Sequence, residues 1–265
     1  MRVLVLTGAG VSAESGIPTF RGKDGYWRKL DPTKLATADA FARDPQLVWD
    51  WYGERRRRIR NARPNAAHEA IARLAHHMDE FLLVTQNVDD LHARGGMPAQ
   101  KMVQIHGDIF VTRCSRCEFQ RHDYEHEHEH ERKDAAGFGV RRHVAALKAR
   151  TCPRTPKCPE CNALMRPGVV WFDEQLPSNE VERVENFLRG GACDVVIVAG
   201  TTATFGYIID WALRGSPERF RGELIEVNPE ETPLSRFATR LVREPAAIAL
   251  PRMVDELMNR VSPPL

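Results

Sequence analysis

Residues 3–21 read VLVLTGAGVSAESGIPTFR. The apolar run Val3–Leu6 enters a glycine loop directly, the pattern of a buried strand that ends at a ligand-binding turn. Gly8 and Gly10 permit a tight turn and a close approach of backbone N–H groups to a diphosphate. The third glycine is Gly16, so the G-x-G-x-x-G spacing of dehydrogenases is absent. The chain continues through Pro18, Arg21, Gly22 and Gly25, a polar stretch that reads as a flexible cover over a nucleotide.

Similar short apolar runs recur at Phe81–Thr85, Met102–Ile105, Val195–Ala199 and Leu224–Val227. Helical stretches lie between several of them. In Asn65–Met78, Ile71, Leu74, Ala75 and Met78 share a face. A second helix is expected from Pro45 to Ile59, with Asp44 as N-cap and Pro45 at N1. A last helix, about 252–261, is expected after Pro251. Strands alternating with helices predict an α/β fold, a doubly wound parallel sheet that binds ligands beyond the carboxyl ends of its strands. Two segments break the alternation. Residues 28–64 form a helical module and residues 113–165 carry cysteine pairs; together they predict a smaller domain. Residues 1–27, 65–112 and 166–265 make the sheet domain.

Composition excludes several classes. In 265 residues the net charge is only +2, so bulk nucleic-acid binding is not indicated. Apolar residues at 42% and charged residues at 28% suit a globular protein, and no apolar run is long enough to span a bilayer. The N-terminus enters its glycine loop too soon for a signal peptide, so the expected location is cytoplasmic. In a reducing compartment, Cys114-x-x-Cys117 and Cys158-x-x-Cys161 read as four thiolate ligands of one structural Zn²⁺ with no open position. Cys152 is an alternative to Cys158, although it lacks the paired spacing. The run HDYEHEHEHE, residues 122–131, reads as solvated surface more than as a second metal site.

Two strand ends carry candidate chemistry. TQNVDDLH, residues 85–92, presents Gln86, Asn87 and Asp89, and an amide-bearing ligand such as nicotinamide needs both donors and acceptors. In IHGD, residues 105–108, His106 is a candidate general base. His68, His76, His77 and His92 take a structural reading.

These motifs, with RPGVVWFDE (166–174), Gly200-Thr201-Thr202 and EVN (226–228), occur in the order seen in sirtuins, and the chain resembles that family over nearly its whole length. The resemblance implies an inverted Rossmann-like domain and a small zinc-and-helix domain, with NAD and an acyl-lysine peptide meeting in the cleft between them. It implies an NAD-dependent protein-lysine deacylase that yields nicotinamide, O-acyl-ADP-ribose and free lysine. His106 and Asn87 are then catalytic. Nucleotide contacts fall on Gly8, Ala9, Gly10, Ser12, Glu14, Ile17, Phe20, Arg21, Gln86, Asp89, Gly200, Thr201, Thr202, Asn228 and Ala246. Val169, Val170 and Phe172 match the strand that pairs with the peptide. Tyr52 and Arg55, three apart on one helix, resemble the subgroup that removes succinyl, malonyl and glutaryl groups, and Ala36 matches a small residue that widens its acyl pocket.

The chain also departs from the family. GTS reads GTT and is followed by ATFGYIIDWA, FGE reads FDE, and forty residues separate Cys117 from Cys158. An ADP-ribosyltransferase or NAD glycohydrolase on the same fold, a plain deacetylase, and a non-catalytic zinc-ribbon binding module are the other readings.

Overall fold

The computed structural model describes residues 1–19, 34–123, 155–216 and 222–261. Phe20, Arg21, Gly22, Gly25, Cys152 and residues 124–131 of the His/Glu-rich run lie outside the described residues. The described residues fall into two compact units, one within Met1–Pro32, Arg58–His106 and Gln175–Leu265 and one within Thr33–Arg57 and Gly107–Glu174.

In chain order the described strands are β1 (Arg2–Thr7), β2 (Glu80–Thr85), β3 (Met102–Gln104), β4 (Gly107–Cys114), β5 (Gln120–His122), β6 (Met165–Val169), β7 (Val195–Ala199), β8 (Glu223–Val227) and β9 (Arg240–Val242). The described helices are α1 (Ala38–Arg43), α2 (Pro45–Asn61), α3 (Ala66–His77), α4 (Leu91–Arg94), α5 (Ser178–Arg189), α6 (Gly206–Gly215) and α7 (Ala246–Val261).

The larger unit holds a six-stranded sheet in the order β3-β2-β1-β7-β8-β9, with every neighbouring pair parallel. Its faces follow from the period-2 alternation of strand side chains. Val3, Val5, Leu83, Ile197 and Val227 turn to the face covered by α3 and α7. Leu4, Leu6, Val84, Val198 and Leu224 turn to the face covered by α5 and α6. Both faces are buried, which explains why the strands read as unbroken apolar runs. Strand order runs outward from β1 to β3 on one side and from β7 to β9 on the other. The topological switch point therefore lies between β1 and β7, where open α/β sheets form their ligand crevice.

Strand β9 and the start of the last helix depart from expectation. Strand β9 was not anticipated, because three residues at a sheet edge leave no apolar run. The last helix begins at Ala246, ahead of Pro251, which sits inside it. Proline removes one intrahelical donor, yet Ala246, Ala249 and Leu250 before it are buried in the core, and that burial carries the helix through.

The glycines at the switch point serve a purpose the sequence did not reveal. Gly8 N–H donates to the Ala199 carbonyl (3.1 Å) and Gly10 N–H to the Gly200 carbonyl (2.7 Å). Those two donors are spent between loops and are not aimed at a diphosphate. A Cβ on Gly10 would lie 2.8 Å from Gly200 Cα, and one on Gly8 would lie 2.7 Å from Thr201 Cβ. Gly200 has φ +60°, and a Cβ there would lie 2.4 Å from Val11 N.

The smaller unit is built on a three-stranded antiparallel sheet, β5-β4-β6. Residues 107–112 and 166–174, expected with the large sheet, lie here because β4 and β6 pair with each other. Asp44 caps α2 through Leu47 N–H (3.0 Å), as expected. The Trp49 indole donates to the Met165 carbonyl (2.9 Å). Buried Arg56 donates to the Ile109 (2.5 Å) and Val111 (3.0 Å) carbonyls, so this arginine ties helix to sheet.

Gly200→Ala is expected to destabilise the protein by about 2 kcal/mol or more, since backbone strain at positive φ adds to the overlap with Val11 N. Urea unfolding measures it.

Candidate active site and metal centre

At the carboxyl end of β2 a buried polar cluster forms around Ser12. Its hydroxyl donates to Asp89 Oδ2 (2.9 Å) and accepts from Asn87 Nδ2 (3.1 Å). His68 Nε2 lies 3.4 Å away. His68 Nδ1 accepts the Asn65 N–H (3.2 Å), closing a capping box with the Asn65 side chain at the start of α3. The ring proton is therefore on Nε2 and points at Ser12. Burial first, then the Arg94 charge, lowers His68 to about 4. His92, held by the Thr7 hydroxyl (3.1 Å), is lowered well below its ordinary value by burial, then by His68. Both rings are neutral structural groups. Ser12 spends its hydrogen bonds inside the protein and fixes Asn87 and Asp89.

Gln86 ties the neighbouring strand ends together. Its side-chain amide donates to Thr201 Oγ1 (2.9 Å), and its carbonyl accepts from His106 Nδ1 (2.9 Å). Asn228 Nδ2 donates to the Thr201 carbonyl (2.8 Å). The Thr202 hydroxyl pairs with that of Thr204 (2.9 Å). Ser12, Gln86, Asn87, Asp89, His106, Gly200, Thr201 and Asn228 are thus drawn to one end of the sheet, with Gly8, Ala9 and Gly10 opening the same loop. Glu14 is exposed, Ile17 half-buried, and Ala246 buried at the start of α7.

Sequence reasoning missed Tyr207. Its hydroxyl lies 2.6 Å from His106 Nε2, and Phe205 stacks on its ring at 5.6 Å. The only hint was that ATFGYIIDWA departs from the family pattern.

In the smaller unit, the Tyr52 hydroxyl accepts from the Trp171 indole N–H (3.2 Å), and the Arg55 guanidinium lies over the Trp51 and Tyr52 rings at 4.8 and 5.4 Å. Ala36 meets the peptide-strand candidates directly: its carbonyl accepts Phe172 N–H (3.1 Å). Val169 ends β6, an edge strand of its sheet, while Val170 and Phe172 lie just beyond it. Asp173 accepts Ala38 N–H at 3.0 and 3.2 Å, so the acidic residue in place of glycine caps α1.

The sulfurs of Cys114, Cys117, Cys158 and Cys161 lie within 4.8 Å of one another and form no disulfide. Cys114 N–H and Cys158 N–H bond to the Phe119 and Ala163 carbonyls (both 2.8 Å), closing two matching turns. Bonds from the Cys117 and Arg116 N–H groups hold the Cys114 thiol below its ordinary value. Four thiols in one small cluster suit a closed tetrahedral zinc site.

Residues 8–205 match the family described as the Sir2 family. The chain belongs to the Sir2 family. Over 261 residues it is 39% identical to an NAD-dependent protein deacylase of Aquifex aeolicus, covering 98% of this chain and 97% of that one. It is 38% identical over 259 residues to the mitochondrial NAD-dependent protein deacylase sirtuin-5 of Xenopus tropicalis, covering 94% of this chain and 80% of that one. A solved Sir2 homologue in complex with NAD superposes with a TM-score of 0.80 at 39% identity, covering 98% of this chain and 91% of that one. Membership accounts for the order of motifs along the chain. Among the described residues, no helix is long and apolar enough to cross a membrane.

Two outcomes are expected. The purified protein should carry one zinc ion per chain by elemental analysis, and Cys117→Ser should lower both zinc content and thermal stability. His68 and His92 have folded values below the unfolded value near 6.5. As pH falls below about 6.5 the unfolded chain takes up protons that the folded chain refuses, so stability is lost; for His68 the loss levels off near pH 4. Urea midpoints from neutral pH downward measure this, and His68→Gln should make the decline shallower.

Proposed function

We propose that the protein is an NAD-dependent protein-lysine deacylase with a preference for acidic acyl groups. Support comes from the convergence of His106, Asn87 and Asp89 at the switch point of a Sir2-family sheet. NAD supplies the ribose from which nicotinamide departs and the hydroxyl that takes up the acyl group. The donor set fits such a co-substrate: paired side-chain amides and a carboxylate at one strand end, and a neutral imidazole at the next.

In this reading His106 removes a proton from the ribose. The Gln86 carbonyl can only accept, so His106 keeps its proton on Nδ1 and presents the Nε2 lone pair as base. Burial lowers the ring and the Gln86 bond raises it, which keeps it neutral at physiological pH. Asn87 and Asp89, fixed by Ser12, orient the nicotinamide end. Thr201, fixed by Gln86 and carrying Asn228 on its carbonyl, shapes the nucleotide wall. The edge of β6, which among the described residues pairs with no further strand, suits an acyl-lysine peptide added as one. The four cysteines hold zinc as a structural element and take no part in the chemistry.

The acidic preference rests on Tyr52 and Arg55. Trp171 donates to the Tyr52 oxygen, which leaves the hydroxyl's own proton to donate elsewhere. The Arg55 guanidinium lies over the Trp51 and Tyr52 rings, and a guanidinium is suited to bidentate pairing with a carboxylate. A hydrogen bond to a charged group contributes about 1.5–3 kcal/mol, and an acetyl group has no carboxylate to receive it.

The test is a panel of acetyl-, malonyl-, succinyl- and glutaryl-lysine peptides assayed for peptide-dependent nicotinamide release, with His106→Ala as control. Release without peptide would favour a glycohydrolase instead. Arg55→Met is expected to lower desuccinylation roughly 10-fold to 100-fold relative to deacetylation; an equal fall in both would remove the role given to Arg55.

A further inference from the structure

Tyr207 Oη lies 2.6 Å from His106 Nε2, on the nitrogen opposite the one bound to Gln86. Because the Gln86 carbonyl requires a proton on Nδ1, Nε2 carries the lone pair, and the phenol O–H must be the donor in this contact. The nitrogen that would act as base is therefore already engaged by a hydroxyl from the segment where the chain departs from its family. We propose that Tyr207 is a positioning residue for His106, its hydroxyl remaining the hydrogen-bond partner of Nε2 before and after that nitrogen takes up a proton.

The hydroxyl can serve both states because it donates and accepts. It donates to the neutral ring, and after rotation about its C–O bond it accepts from Nε2–H. The balance is simple. Nε2 has one lone pair, so the phenol O–H leaves it as the proton arrives and the contact re-forms with Nε2–H as donor; the electron pair of the broken O–H bond stays on the oxygen that lost the proton, and no covalent bond to Tyr207 is made or broken. Among the described residues of its unit, the groups facing the imidazole are the Gln86 carbonyl, the Tyr207 hydroxyl and the rings of Phe205 and Tyr207. Of these only Tyr207 titrates, and burial raises it above its ordinary value, so it stays a neutral phenol throughout. A hydrogen bond to an imidazolium is stronger than one to a neutral ring. The hydroxyl thus favours the protonated state and supports His106 as a base, against the burial that disfavours charge.

The proposal rests on the deacylase reading for its consequence but not for its measurement. The decisive experiment is a ¹⁵N–¹H NMR titration of His106 in protein without NAD, comparing wild type with Tyr207→Phe. Phenylalanine keeps the packing of Tyr207 against Phe205 and Trp211 (ring centroids 5.0 Å from the latter). Wild type should show the Nδ1–H tautomer. The His106 midpoint should fall by roughly half to one pH unit in Tyr207→Phe, and kcat for peptide deacylation should fall with KM little changed. An Nε2–H tautomer in wild type, or a midpoint that stays or rises in Tyr207→Phe, would overturn the proposal. Absence of peptide-dependent nicotinamide release in wild type would instead remove the deacylase reading and leave the titration standing.

Discussion

The larger unit depends on the contact between two glycine loops. β1 and β7 are neighbours in the sheet, and the chain leaves each through glycine. With no Cβ at Gly8, Gly10 or Gly200, the two loops bond backbone to backbone at 2.7–3.1 Å. A side chain at any of these positions would drive the loops apart at the switch point, where the sheet opens its crevice. Ser12 follows from the first loop and Thr201 from the second, so the contact seats the hydroxyls that meet Asn87, Asp89 and Gln86.

The network above the sheet is held by buried hydrogen bonds, one of them to the Asp89 carboxylate. Ser12 joins His68, Asn87 and Asp89, and Gln86 joins Thr201 to His106. Such networks are stiff when fully satisfied, because each unpaired group would carry a large desolvation cost. Keeping histidines uncharged is part of that stiffness. His68 and His92 each hold a hydroxyl of another element, Ser12 and Thr7, through Nε2, as His106 holds that of Tyr207.

The smaller unit shows how neighbouring residues of one type diverge. Arg55 and Arg56 are adjacent on α2 and both are buried. Arg56 donates to carbonyls of β4 and meets Asp123, whose carboxylate also accepts from the Thr112 hydroxyl (2.6 Å). Arg55 lies over two aromatic rings. A step of one residue turns a helical side chain by about 100°, so one arginine faces the sheet and the other an aromatic wall. Glu174 plays a comparable part after β6. Burial raises its carboxyl, but pairing with Arg166 and the Trp171 N–H outweighs this and holds it below the ordinary range.

Much of this was legible in the chain itself. The strands beginning at Val3, Phe81, Met102, Val195 and Leu224 declared themselves because burial on both faces demands unbroken apolar runs. The paired cysteines declared a metal site because two-residue spacing suits one ion. Motif order named the family and the residues around His106. The sequence did not show that Gly8 and Gly10 serve a neighbouring loop, that Ser12 is saturated inside the protein, or that β4 and β6 form a separate sheet. Nor did it reveal Tyr207 as the partner of His106. Residue types and local periodicity were determined by the sequence alone, since burial and helical geometry act within a few residues. The pairings Gly10–Gly200, Ser12–Asp89 and His106–Tyr207 join residues 77 to 190 positions apart, and only the folded sheet, which brings distant strand ends within hydrogen-bonding reach, decided them.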